Sequence, residues 1–146
     1  MLCGLAIDHE FGLAGHSDAD VATHAVIDAV LGAAGLPDIG ALYPDTDPAY
    51  EGASSIALLR DVVARVRAAG WVVGNVDLVI VAERPRLAPH REAMRALLAE
   101  ALGVDGGAVG VKATTTEGMG FEGRAEGVSA TAVCLLEAAA RGSAQR

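Results

Sequence analysis

The chain has 146 residues, 52% of them hydrophobic, and a mean hydropathy of +0.38, the size and apolar content of a single domain around one core. A net charge of −8 and a pI of about 4.8 exclude a protein that lives on nucleic acid or anionic lipid, since both need a basic face, but leave room for a local basic pocket around a small phosphate ligand. Aromatic residues are only 3% while glycines number 18, so small and branched aliphatics must build the core, and self-association is expected to supply the missing apolar burial.

Residues 1–7 (MLCGLAI) read as a short apolar strand, without the basic start of a signal peptide, and lead into a polar loop through His16. Ser17 is the expected N-cap of a first helix, with Asp18 and Asp20 in its first turn and Val21, Ala25, Val26 and Val30 as its apolar stripe. Gly35-Leu36-Pro37 stops it, and the segment 38–52, DIGALYPDTDPAYEG, reads as a long loop shaped by turn residues. A loop of that length in so small a domain is usually functional.

Ser54 or Ser55 caps a second helix, carried by Ile56, Leu59, Val62, Val63 and Val66 and ended by Gly70. Residues 71–82 are rich in β-branched residues and read as a strand that becomes buried on both faces by Val79-Ile80-Val81. A rigid basic loop, ERPRLAPH, precedes a third helix over 91–102; a strand over 109–114 and a glycine-rich loop over 117–127 follow. Residues 128–140 fit helix by alanine content and strand by the alternation of Val128, Ala130, Ala132 and Cys134. This order predicts one domain over 1–146 of α/β or α+β class, a two-layer mixed sheet with three helices on one face. Cys3 and Cys134 are too few and too distant for a disulfide framework or a Cys-x-x-Cys metal site, and read as reduced, buried thiols of a cytoplasmic protein. No apolar run approaches the ~18–20 residues of a membrane span.

Four segments could carry chemistry. Asp20, His24 and Asp28 are spaced to share a helix face, which suits a metal site, a tuned acid/base or an ordinary solvated face. Asp45 and Asp47 stand between prolines in YPDTDP, a stiff loop able to hold carboxylates toward hydroxyls or cations, or simply a surface turn. In VKATTTEGMG, Lys112, three threonines and Glu117 offer donors to a phosphate ester and a carboxylate to Mg²⁺, which favours one or two carboxylates with phosphate oxygens. In AERPRLAPH the prolines fix a backbone path that could read the edge of a base, with Arg84 and Arg86 as charge, or cap the following helix.

Taken in order, GHSDADVATHA, GLPDIGALYPDTDP, GNVDLVIVAERPRLAPH and VKATTTEGMGFEGRAEG closely resemble the 2-C-methyl-D-erythritol 2,4-cyclodiphosphate synthases of the non-mevalonate isoprenoid route, over nearly the whole chain from Leu5 to Leu136. The resemblance implies a homotrimer with active sites between subunits. It also implies a lyase whose substrate, 4-diphosphocytidyl-2-C-methyl-D-erythritol 2-phosphate, closes on itself: the 2-phosphate attacks the β-phosphorus and expels CMP. Such a reaction needs two anions brought in line rather than a protein nucleophile.

By the same resemblance His24 is a zinc ligand, and His16 and Ser17 contact the methylerythritol phosphate. Asp38 and Gly40 hold the ribose, Asp45 lies over the erythritol, and Glu117 binds magnesium or manganese on the diphosphate beside Thr115. Ala82, Arg86 and Leu87 read the cytosine, Ala113, Thr114 and Thr115 line the nucleotide pocket, and Phe121, Arg124 and Glu126 rim a cavity on the trimer axis, where the family often has Gly at the position of Ala125. Family members begin with a strand bearing Asp-x-His, two further zinc ligands, ahead of the segment that aligns with MLCGLAI. Asp8-His9 is not that motif, because adjacent strand residues point to opposite faces. The expectation is therefore an incomplete zinc site. Either the natural chain starts upstream of Met1, including as the tail of a bifunctional enzyme, or a variant has lost zinc and serves as a non-catalytic module for cytidine nucleotides or isoprenoid phosphates.

Overall fold

A computed structural model describes residues 1–9, 18–50 and 52–140. Three strands, β1 (Trp71–Val81), β2 (Val109–Thr114) and β3 (Ser129–Ala138), form a mixed sheet in the order β2-β1-β3. β1 runs parallel to β2, with Val81 opposite Thr114, and antiparallel to β3, with Val81 opposite Ser129. Five α-helices occur among the described residues: α1 (Val21–Ala33), α2 (Ile39–Leu42), α3 (Ser55–Ala68), α4 (Arg91–Leu102) and α5 (Gly120–Gly123). The three long ones cover one sheet face, α1 against β3 and β1, α3 against β1 and α4 against β2. This is the expected two-layer α+β arrangement.

Strand periodicity explains the core. Val76, Leu78, Ile80, Val109 and Val111 point toward the helices and are buried, meeting Val26, Ile27, Leu31, Leu59, Val62, Met94 and Leu98. The expectation of a strand buried on both faces fails at Val79 and Val81, which are half-buried, because among the described residues no helix covers the other side of the sheet. That open face carries Val133 and Leu135, 62% and 56% exposed. Residues 128–140 settle as strand: once β1 supplies a pairing edge, Ala130, Ala132, Cys134 and Leu136 pack on the core. Both cysteines are free thiols, Cys3 buried and Cys134 half-buried, and burial pushes the Cys134 thiol up to about 11.

Two expectations near the N-terminus are corrected. Residues 1–7 are not a strand of the sheet; Leu2 and Leu5 bond to each other, at 3.0 and 2.9 Å, across a turn in which Cys3 and Gly4 both have positive φ. A Cβ at Gly4 would lie 2.4 Å from Cγ1 of Ile56, so glycine is required there. The cap of α1 is Asp20 rather than Ser17, since Ala19 has φ 56° and breaks any helix begun earlier. Asp18 instead accepts the Ser55 N–H at 2.9 Å and the Ser55 hydroxyl, holding the start of α3 beside α1. The expected second-helix cap is Ser54, which accepts the Ala57 N–H. The segment read as a plain loop over 38–52 contains α2 and a single 3-10 turn, Pro48–Tyr50. Among the described residues no helix is long and apolar enough to cross a membrane.

Candidate active site

Parallel strands present their C-terminal ends to one side, the usual place for a ligand in such sheets. Here β1 ends into 82–87 and β2 into 115–118, and the two loops are tied together. The Ala82 N–H donates to the Thr114 carbonyl at 3.0 Å, prolonging the ladder by one rung. Beyond it Oε1 of Glu83 accepts the N–H groups of Thr116 and Gly118, both at 3.1 Å. The loop of Ala82 and Leu87, both buried, and exposed Arg86 is thus tied through Ala82 and Glu83 to the strand end of Ala113 and Thr114 and the turn of Glu117. Thr115 Oγ1 accepts the Glu117 N–H at 3.3 Å, and the Thr116 hydroxyl donates to the Met119 carbonyl. Glu117 is exposed, has φ 54° and makes no side-chain hydrogen bond or ion pair among the described residues.

Lys112 departs from its expected role. Its ammonium is paired with Asp77 at 2.5 Å across the open sheet face, because residues 110, 112 and 114 of β2 point away from the core. The cations left at the strand ends are Arg84 and Arg86, both exposed and in no ion pair among the described residues.

The second group sits on α2 and the turn after it. Asp38 caps α2 by accepting the Ala41 N–H at 2.8 Å through Oδ1. The Asp28 carboxylate, from α1, accepts the Ile39 N–H at 2.9 Å and fixes α2 in place. A Cβ at Gly40 would meet nothing nearer than Oδ1 of Asp38, at 3.6 Å, so the chain itself does not demand glycine there. Asp45 is exposed, and Asp47 accepts the Ala49 N–H at 2.9 Å. The turn is anchored by residues the sequence reading did not single out. The Tyr43 hydroxyl and Nε of Arg65 both donate to Asp61, the Arg65 guanidinium lies 5.7 Å from the Tyr43 ring centre, and Tyr50 meets Tyr43 edge-on at 5.3 Å. Their only sequence signal is that the chain's two tyrosines bracket the PDTDP motif. Among the described residues no hydrogen bond joins this group to the strand-end loops.

The third group follows Glu117. Phe121 is 46% exposed, and Arg124 makes two hydrogen bonds, 2.8 and 2.9 Å, to the Glu126 carboxylate, so its charge is already matched. Ala125 has φ 57°, a conformation that suits glycine. A Cβ at Gly123 would lie 2.2 Å from the Gly118 carbonyl carbon, so only glycine lets α5 close onto the turn after Glu117.

Of the residues assigned to catalysis, His16 and Ser17 lie outside the described residues. His24 is half-buried on α1, and the Asp20 and Asp28 carboxylates that share its helix face are both engaged by backbone N–H groups. Both oxygens of Asp20 are taken by the N–H groups of Cys3, Gly4 and Thr23 and by the Thr23 hydroxyl, and the side chain is fully buried. Among the described residues no three His, Cys, Asp or Glu side chains are grouped to hold a metal, and this donor set does not fit tetrahedral zinc. Glu117 does fit a hard cation, as one open carboxylate beside threonine hydroxyls.

Residues 1–137 match the YgbB family. A 2-C-methyl-D-erythritol 2,4-cyclodiphosphate synthase from Chromobacterium violaceum is 56% identical over 139 residues, 95% of this chain and 88% of that one. Among solved structures, the bifunctional IspDF from Campylobacter jejuni superposes with a TM-score of 0.91 at 43% identity, covering 94% of this chain and 37% of that one. A 2C-methyl-D-erythritol-2,4-cyclodiphosphate synthase in a CDP-bound form superposes with a TM-score of 0.86 at 40% identity, over 94% of this chain and 89% of that one.

Proposed function

The chain belongs to the YgbB family, and from that premise we propose that it is an enzyme converting 4-diphosphocytidyl-2-C-methyl-D-erythritol 2-phosphate to 2-C-methyl-D-erythritol 2,4-cyclodiphosphate and CMP. The observation that carries this reading is the 56% identity to a synthase of that name across 95% of the chain. A shared enzyme name across such identity does not favour the non-catalytic module.

In the reaction an oxygen of the 2-phosphate forms a bond to the β-phosphorus. The bond from that phosphorus to the oxygen bridging the α-phosphate breaks, and CMP leaves with the electron pair. No protein group needs to be acylated or phosphorylated, so the task is alignment of two anions. The loop 82–87, together with 113–116, takes the cytosine, whose edge is read by backbone groups of a path that Pro85 and Pro89 fix. Arg86 supplies charge near the phosphates. Asp38 accepts from the ribose hydroxyls through the oxygen its capping bond leaves over, and Gly40 gives the sugar the space a methyl would fill. Asp45 faces the erythritol hydroxyls, with His16 and Ser17 at its phosphate. Glu117 and the Thr115 hydroxyl meet the diphosphate, where a magnesium or manganese ion held by Glu117 would offset negative charge.

The open sheet face, with Val79, Val81, Val133 and Leu135, supports a homotrimer that covers it and brings the Asp38 group of one subunit to the strand ends of the next. Phe121, Arg124 and Glu126 then rim a cavity on the axis.

The test is incubation of the chain with the substrate and MgCl₂, following CMP by chromatography and the cyclic diphosphate by ³¹P NMR. Equimolar appearance of both supports the reading. Hydrolysis to CMP with an open-chain diphosphate, or no CMP at all, overturns it.

A further inference from the structure

Resting on the reading that Glu117 is the carboxylate that meets the diphosphate, we propose that Glu83 is the positioning residue that sets it. Glu83 stands two residues past the end of β1, half-buried, and its Oε1 accepts the N–H groups on either side of residue 117, from Thr116 and Gly118, each at 3.1 Å. Between those two anchors Glu117 holds φ 54° and Gly118 φ 82°. A non-glycine residue keeps the left-handed conformation only where its surroundings impose it. The same turn is closed by the Met119 N–H donating to the Thr116 carbonyl at 3.1 Å and by the Thr116 hydroxyl donating to the Met119 carbonyl, with a longer 3.3 Å bond from the Glu117 N–H to Thr115 Oγ1, but only Glu83 ties it to the end of β1.

One carboxylate oxygen thus gathers two N–H groups that no other acceptor takes among the described residues, and it anchors the turn that aims the Glu117 side chain to the end of β1. Because Glu83 directly follows Ala82, the same contact locks the loop assigned to cytosine to the loop assigned to the diphosphate. The covalent chain between base and β-phosphorus limits how far apart the two can be bound, so holding these two loops in register serves the reaction as well as the fold. Acceptor geometry carries the role rather than charge at the reacting atoms. A glutamine, whose amide oxygen can take the same two donors, should therefore serve in place of Glu83, whereas alanine should not.

The test compares E83A and E83Q with the unaltered chain. Amide hydrogen exchange without ligand is expected to speed about tenfold or more at Thr116 and Gly118 in E83A, and calorimetry to show CDP binding that needs about tenfold more MgCl₂ for half saturation. In turnover, kcat should fall more than KM rises, and E83Q should restore most of each effect. Unchanged exchange and an unchanged MgCl₂ requirement in E83A overturn the proposal, as does an E83Q variant as impaired as E83A. CDP binding by the unaltered chain that ignores MgCl₂ overturns the Glu117 reading instead, and accelerated exchange in E83A would then leave the loop clamp standing without its catalytic purpose.

Discussion

Oδ1 of Asp20 accepts the backbone N–H of Cys3 at 2.9 Å, joining the N-terminal turn to the cap of α1 across seventeen residues. The same carboxylate takes Gly4 N–H, Thr23 N–H and the Thr23 hydroxyl, so four donors converge on one fully buried group. Asp20→Ala would strand all four. Unfolding in urea should show a loss of about 3 kcal/mol or more, with Asp20→Asn intermediate because it keeps one acceptor oxygen. A loss below about 1 kcal/mol would mean that water replaces the carboxylate readily.

The Tyr43–Asp61 contact gives the loop carrying Asp45 a pH window. Asp61 is held below its ordinary 3.8 by the Tyr43 hydrogen bond first and Arg65 second, so its contribution is present above the unfolded value and lost as the pH falls through the folded one. Tyr43 is pushed up to about 12, by burial first and then by Asp61, so its contribution is present below about 10 and lost as the pH rises through 12. Ultraviolet titration should show a phenolate step near 12 that Tyr43→Phe removes. Loss of docking at acid pH should likewise vanish in Asp61→Ala. A single step at the ordinary tyrosine value would show the anchor is not formed.

How legible this was from sequence depends on range. The helices at 55–68 and 91–102 and the strands at 71–81 and 109–114 announce themselves because cap, period and terminator are all local. Residues 128–140 stay ambiguous for lack of a partner: β1 decides them, and its nearest paired residue, Val81, stands well upstream, opposite Ser129. The MLCGLAI segment misleads, since a run of apolar residues does not show that Asp20 will draw two of its N–H groups into a turn. At the candidate site, the motifs mark the positions proposed to face the ligand. The contacts that hold them, Glu83 to the Glu117 turn and Tyr43 to Asp61 under the Asp45 loop, span 33 and 18 residues and leave no local pattern; only the Asp61–Arg65 pair, four residues apart, is local.

Gly40 separates stability from binding. It lies exposed in α2 with no atom closer than 3.6 Å to a Cβ there, so Gly40→Ala should stabilise the fold, by up to about 1 kcal/mol in thermal unfolding. If the ribose uses that space, the same variant should weaken CMP binding by about tenfold. Unchanged CMP affinity would remove Gly40 from the ribose site.

Ala125 offers a change in one direction. Its φ of 57° costs an alanine more than a glycine, and the residue is exposed, so Ala125→Gly should raise stability by about 0.5–1 kcal/mol without altering the Arg124–Glu126 pair. A decrease would show that unfolded-state freedom outweighs the relieved backbone.

Glu117 and Asp38 are expected to separate kinetically. A carboxylate acting on the diphosphate gains importance as charge redistributes in the transition state, whereas a carboxylate on the ribose makes the same contact before and during the reaction. Glu117→Gln should therefore lower kcat by about a hundredfold with KM little changed, while Asp38→Ala should raise KM and weaken CMP binding by about ten- to a hundredfold at near-normal kcat. Asp38 also caps α2, so its loss costs about 1 kcal/mol of stability besides. Asp38→Asn is the control: it retains an acceptor for the Ala41 N–H but loses the charge that strengthens bonds from the ribose. If Asp38→Asn binds CMP normally while Asp38→Ala does not, the defect lies in the fold of α2 rather than in a ribose contact. Asp38 would then be a capping residue alone.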